Sequence, residues 1–262
     1  MNKQDTMSST SFILFCWNIG NPSLERAAKQ AAWLRKQSSD IFLLTECKQS
    51  EGCRFLEKYF QAYGYQVVFP KPPGNEYGVL IASKHPMTPT KFTNYVEYLQ
   101  SRVVSVKLPF LGDEVEIIGS YVPSRDASYE KKLKKREFLN NLLAALEKAP
   151  TSSSRIVAGD FNILEPDHVP RYSTFEEWEY DFYRWLAQHQ LRDAFRHLHP
   201  KDQEYSWVGR MGDGYRYDHC FVSSNLLPLV CTCSYLHTPR LERLSDHSAL
   251  ITEIVPRGTS ES

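Results

Sequence analysis

The sequence predicts an α/β domain built from two packed β-sheets with helices on the outside, and three observations carry that reading. About ten short runs of strand-forming residues recur along the 262-residue chain, punctuated by three to four helical segments. Several of the strand runs are apolar at consecutive positions, as in strands covered on both faces, while others alternate. Nothing resembling a linker divides the chain, because PKPPGNE (70–76) and PTSSS (150–154) are only loop-sized. One domain over 11–256 follows, with a flexible N-terminus at 1–10 and a flexible tail at 257–262.

The predicted strands are, in order, SFILFCWNI (11–19), DIFLLTE (40–46), YQVVFP (65–70), YGVLIAS (77–83) and RVVSVKLP (102–109). EVEIIGSYV (114–122), RIVAGD (155–160), YDHCFVS (217–223), LPLVCTCSYL (227–236) and SALITEIV (248–255) complete the set. Between the first two, PSLERAAKQAAWLRKQSS (22–39) carries Leu24, Ala28, Ala31 and Leu34 along one helical face. KKLKKR (131–136) opens a second helix, whose apolar face of Phe138, Leu139, Leu142, Leu143 and Leu146 begins only later. Lys131 and Lys135 are expected to point toward that face, beside Tyr121, where a phosphate backbone would lie. A third helix, STFEEWEYDFYRWLAQHQ (173–190), opens on Thr174 and Glu177 at capping-box spacing. Its Phe175, Trp178, Phe182, Trp185 and Leu186 recur at helical intervals and are expected in the core.

Composition sets outer limits. With 42% hydrophobic and 13% aromatic residues the chain can bury a large core. Lys+Arg and Asp+Glu balance at 31 each, which excludes a globally basic nucleic-acid-coating protein, so polyanion binding would need local patches. The apolar runs fall well short of the ~18–20 residues that span a bilayer. The polar opening MNKQDTMSST lacks the apolar core of a signal peptide, and a cytoplasmic monomer is the expectation. The six cysteines follow neither a disulfide framework nor a CxxC pattern; Cys16, Cys220 and Cys231 are expected as core thiols, with Cys231 and Cys233 on one strand face.

The informative pattern is where the polar residues sit. FILFCWN ends at Asn18, DIFLLTE at Glu46, and RIVAGDFN at Asp160 and Asn162. EIIGSYV delivers Tyr121, RYDHCFV carries Asp218, and RLSDHSAL carries Asp246 and His247 just before the last strand. Each residue has an ordinary reading alone; Asp160 and Asn162, for instance, make an Asx-turn. Gathered at one sheet edge they would form a pocket of carboxylates, amides, a phenol and an imidazole. Such hard oxygen ligands without thiolate favour Mg²⁺ or Mn²⁺ over zinc, and suit the activation of water against a phosphoryl group.

These stretches, with CWNIG, LLTECK, YGVLIAS, SRVVSV, GSYVPS, AGDFNI, YSWVG, GYRYDHCFVS and LSDHSAL in this order over 11–255, make the chain resemble the exonuclease/endonuclease/phosphatase superfamily. Its exonuclease III and abasic-site endonuclease branch is the most similar. The resemblance implies a four-layer α/β sandwich of two mixed sheets packed face to face and flanked by helices. It implies Glu46 as principal metal ligand, with Asn18 and Asp246 in the metal network. Asp160 matches the residue that positions or deprotonates the attacking water, and Asn162 the amide that helps hold it. His247 matches the imidazole on the scissile phosphate, Asp218 the carboxylate that orients it, and Tyr121 a phenol on the phosphate or leaving oxygen. One position departs: some members carry an acidic residue where Gly20 stands, so that metal contribution is missing here.

The resemblance also implies a DNA substrate, either a duplex with an abasic site or a 3′ end. Lys48 and Arg102 match basic backbone-contacting positions, and Trp207, Tyr215 and Tyr217 fall where the branch builds a pocket for a base-less sugar. Two rivals stand beside this expectation: a hydrolase of the same superfamily acting on a small-molecule or lipid phosphate ester, and a non-catalytic nucleic-acid-binding module.

Overall fold

A computed structural model describes residues 11–111, 113–150 and 154–255; the stretches read above as a flexible N-terminus and tail, 1–10 and 257–262, lie outside the described residues. The chain begins with β1 (Phe12–Asn18), α1 (Leu24–Leu34), β2 (Ile41–Cys47), α2 (Glu51–Ala62), β3 (Gln66–Val68) and β4 (Gly78–Ser83). It continues through β5 (Thr88–Pro89), β6 (Val103–Phe110), β7 (Asp113–Tyr121), α3 (Tyr129–Lys148), β8 (Ser154–Asp160) and α4 (Glu177–Gln188). The last third holds β9 (Leu191–Asp193), α5 (Ala194–Leu198), β10 (Trp207–Val208), β11 (Gly214–Tyr215) and β12 (Asp218–Ser223). β13 (Val230–Leu236), α6 (Thr238–Leu241) and β14 (Ala249–Ile254) close it.

Two six-stranded mixed sheets form, in the orders β13-β14-β1-β2-β4-β3 and β5-β6-β7-β8-β12-β9. In each, two neighbouring strands run parallel (β1 with β2, β7 with β8) and their other neighbours pair antiparallel. The consecutive apolar residues follow from this layering. In β1, Leu14 and Cys16 enter the core between the sheets, while Phe15 and Trp17 pack under α1 and α2 with Ala31, Leu34, Leu56 and Phe60. In β8, Ile156 and Ala158 face the inter-sheet core, and Val157 faces Phe138, Leu142, Phe182 and Leu186 of α3 and α4. The result is the helix–sheet–sheet–helix sandwich that the sequence implied.

Local expectations fare unevenly. Helix α1 begins at Leu24, with Ser23 accepting from the Arg26 amide as N-cap, and buries Ala27, Gln30, Ala31 and Leu34. Ala31 and Leu34 are buried as expected, whereas Leu24 and Ala28 are exposed and Ala27 and Gln30 complete the face instead. Helix α4 starts at Glu177, and its capping box pairs Glu176 with Glu179 rather than Thr174 with Glu177. Cys231 is exposed while Cys233 is buried, because a bulge between Val230 and Thr232 breaks the two-residue alternation of β13. All six cysteines are unpaired thiols.

Candidate active site

Strand ends create the site. β7, β8 and β12 are aligned so that Tyr121 pairs with Asp160 and Asp160 with Asp218, three side-by-side positions at one edge of the second sheet. The close approach needs Gly159: its φ is +147°, and a Cβ there would sit 1.9 Å from the Ser120 carbonyl oxygen. After Asp160 the chain turns through Asn162, a non-glycine residue at φ +50° whose amide N–H donates to Asp160 Oδ1 at 2.9 Å. That is the Asx-turn of the ordinary reading. The Asn162 side-chain amide also reaches Asp160 Oδ2 (3.2 Å) and the Val122 carbonyl (3.0 Å), so turn and site are one construction.

The first sheet supplies the facing half. Asn18, at the end of β1, donates through Nδ2 to Asp160 Oδ2 at 2.8 Å and accepts the Gly20 N–H at 2.9 Å. Glu46 stands where the β2–β4 register slips between Leu44 and Cys47, at φ +59°. A non-glycine residue held in this left-handed region costs about 1–3 kcal/mol and marks a position fixed by its surroundings. Before β14, the Ser245 hydroxyl donates to the Asn18 carbonyl (2.6 Å) and accepts the His247 N–H (3.2 Å). His247 then places Nδ1 2.7 Å from Asp218 Oδ2 and Nε2 3.9 Å from Asp160 Oδ2. Asp246 points outward, its Oδ2 accepting from the Trp207 indole at 3.0 Å.

Burial works against every charge in this group. It raises the Asp160 carboxyl to about 7, reinforced by Asp218 and opposed by His247 and Asn18. It lowers the His247 ring, but the Asp218 and Asp160 carboxylates outweigh it and leave the imidazolium raised to about 10. Glu46 is raised by burial and by Asp246, against His247 and hydrogen bonds from Asn18 and Tyr121. Burial, then Glu46 and Asp160, hold the Tyr121 phenol well above its ordinary value.

The donor set fits a hard divalent cation. Asp160, Asp218 and His247 can bring one ligand atom each within 4.8 Å of one another, and Asp218 Oδ1 is buried without a protein partner. Glu46 lies against Asn18 and Asp246, so a cation there could be met by oxygens of all three, although Asn18 Oδ1 already accepts the Gly20 N–H and Asp246 Oδ2 the Trp207 indole. Gly20, at φ +62°, lies beside Asp246, and the Arg26 guanidinium donates to its carbonyl.

The remaining candidates divide. Trp207, Tyr215 and Tyr217 do come together: Tyr215 and Tyr217 stack at 5.2 Å, with Trp207 5.4 Å from Tyr215. With Phe175, Thr174, Arg125, Lys135 and Asn162 they line a cavity of about 380 Å³. Lys48 lies 4.2 Å over the Tyr77 ring. Arg102 is buried, paired with Glu76 at 2.5 Å and stacked 4.7 Å over Tyr121, so its guanidinium braces the phenol rather than facing solvent. The basic run is similarly engaged: Lys131 with Asp126, Lys132 with Glu176, Lys134 with Glu76 and Lys135 with Glu179. Of the two lysines expected on the apolar side only Lys135 is there; Lys131 is exposed. Sequence reasoning missed Tyr77, which packs edge-on to Tyr121 at 5.4 Å and meets Glu46, and Ser245, which ties the two loops together. A serine one position before SDH's aspartate was the only signal for the latter.

The model of the Endonuclease/Exonuclease/phosphatase family matches residues 15–247, and the chain belongs to that family. Among solved structures, an AP endonuclease from Archaeoglobus fulgidus superposes with a TM-score of 0.75 at 24% identity, over 92% of this chain and 98% of its own. A 3′ phosphatase from Neisseria bound to a product DNA hairpin gives 0.77 at 23% identity, covering 93% and 99%. A 3′-5′ exonuclease from Neisseria meningitidis gives 0.76 at 24%, covering 93% and 100%. These likenesses establish the fold of the chain.

Proposed function

We propose that the chain is a divalent-metal-dependent DNA phosphodiesterase, cleaving at abasic sites or trimming 3′ ends. The observation that carries this reading is the meeting of Asp160, held by Asn18 and Asn162, with the Asp218–His247 pair at one sheet edge. Asp160, raised to about 7, is poised to take a proton from a water aligned by Asn162. His247, kept cationic by Asp218, offers Nε2–H to a phosphoryl oxygen as charge builds there. Tyr121, kept protonated, adds a second donor to the phosphate or its leaving oxygen. The P–O bond to the leaving group breaks as the bond to water oxygen forms. Mg²⁺ held by Glu46, Asn18 and Asp246 would neutralise charge on the phosphoryl oxygens. DNA as substrate is supported by the aromatic-walled cavity that Asn162 helps to line, and by the DNA-processing enzymes that share the fold.

A panel tests the reading: an abasic duplex, a recessed 3′ end, a 3′-phosphorylated end, sphingomyelin and inositol phosphates, each with Mg²⁺ or EDTA. Mg²⁺-dependent cleavage of one or more DNA substrates, lost in Asp160→Asn, is expected. Cleavage of the lipid or inositol phosphates alone would transfer the chain to that rival; DNA binding with no cleavage at any metal concentration would leave a binding module.

A further inference from the structure

We infer that Lys135 is a positioning residue for Asp160, acting through the backbone of Asn162; this rests on the reading of Asp160 as the water-activating group. Lys135 lies in α3 and is 1% exposed, so its ammonium is buried at a cost that something must offset. Two partners meet it: Glu179 Oε1 of α4 at 2.6 Å, and the carbonyl oxygen of Asn162. Glu179 does not depend on Lys135 for its charge balance, because Arg125 also pairs with it and its other oxygen caps α4 through the Glu176 N–H. A lysine serving only that ion pair would need no contact with Asn162.

The contact sits at an informative place. Asn162 is held at φ +50°, its N–H donating to Asp160 Oδ1 while its carbonyl accepts from the Lys135 ammonium. A positive group at the carbonyl end and a negative group at the amide end fix this residue between them and stabilise its left-handed conformation. The side-chain amide of Asn162 is aimed at Asp160 Oδ2 by the same backbone. Lys135 therefore sets the direction in which the carboxylate presents its lone pairs, its ammonium committed to Glu179 and the Asn162 carbonyl at the wall of the aromatic cavity.

Lys135→Met preserves length and removes the donor, with Arg125 left to hold Glu179. In single-turnover cleavage of the best substrate from the panel, kcat is expected to fall at least ~10-fold, toward the ~100-fold that an ångström of misplacement can cost. KM and DNA affinity measured in EDTA should stay within about twofold, and the circular dichroism spectrum should be unchanged. Unchanged kcat would overturn the inference, as would a fall in affinity matching that in kcat. Should the variant not fold, ¹⁵N-lysine-labelled wild-type protein decides. The Lys135 Nζ resonance should be protected from exchange and should move in Asp160→Asn; a resonance that does not move overturns the proposal. Asp160→Asn separates the two readings. If it too retains activity, the role of Asp160 fails; if it alone is inactive, only the role of Lys135 fails.

Discussion

His247 and Asp218 meet at 2.7 Å across the two sheets, carboxylate on β12 and imidazole on the loop entering β14, both buried. The contact commits Nδ1 to Asp218 and leaves Nε2 as the nitrogen turned toward Asp160.

Asp218→Asn removes the strongest influence that raises the imidazole, so the ring's pKa falls from about 10. An NMR titration of His247 should show its midpoint at lower pH in the variant, and the pH–rate profile should lose activity from the alkaline side first. The turnover number should fall on the order of 100-fold. A titration midpoint identical to wild type would contradict the geometry.

Glu46→Gln keeps the shape of the site and removes the charge held at φ +59°. The Mg²⁺ concentration for half-maximal cleavage is expected to rise about 10-fold or more, with matching loss of affinity by calorimetry. EDTA should abolish wild-type cleavage. Equal Mg²⁺ dependence in the two proteins would move the cation to the Asp160–Asp218–His247 group.

Acid sensitivity should trace to a buried cluster away from the site. Glu165 accepts from Arg216 at 2.6 Å and from Arg196, while Arg216 also reaches Asp193 at 2.8 Å. Burial raises Glu165, but Arg216 and Arg196 outweigh it and lower the carboxyl to about 2. A lowered carboxyl stabilises the fold above its ordinary value of 4.5 and loses that contribution as pH drops through about 2. Glu165→Gln should cost on the order of 3 kcal/mol at pH 7 and progressively less between about 4.5 and 2. Urea unfolding at several pH values reads this directly; a pH-independent difference would rule it out.

Gly159→Ala should be among the costliest one-carbon changes in the protein, at about 3 kcal/mol or more, because the new Cβ meets the Ser120 carbonyl of the neighbouring strand. Gly64→Ala is the control: it shares a positive φ, +79°, but has nothing within 4 Å, and should lose only about 1 kcal/mol. Similar thermal shifts for both would show that β7 and β8 can separate without penalty.

The sequence revealed the layers and the polar strand ends because both follow from short-range chemistry. Ile156, Val157 and Ala158 are covered on both faces, and such strands read as unbroken apolar runs. Four two- or three-residue strands, β5, β9, β10 and β11, were not legible, since so few residues show no period. Helix α2 was legible but unread: Ser50 caps it, and Cys53, Leu56 and Phe60 recur along its buried face. Arg102 and Lys135 misled for a different reason. A charged residue in a one-dimensional string looks available to solvent, whereas Glu76 and Glu179, 26 and 44 positions away, take these two cations into the interior. The departure of Cys231 was invisible because a bulge is a property of the strand pair.

Two hydrogen bonds, Asn18 to Asp160 and His247 to Asp218, bridge the sheets at the candidate site, so half of the proposed catalytic group hangs from each layer. The thickness of the filling between the layers is then a kinetic variable. Leu43 and Val79 on one side press against Gly119 on the other so closely that a Cβ at Gly119 would lie 2.9 Å from Val79 Cγ1. None of the three is itself one of the polar residues at the edge. A lineage drifting under selection for turnover would nonetheless conserve their combined bulk, and a screen scoring only melting temperature would overlook why.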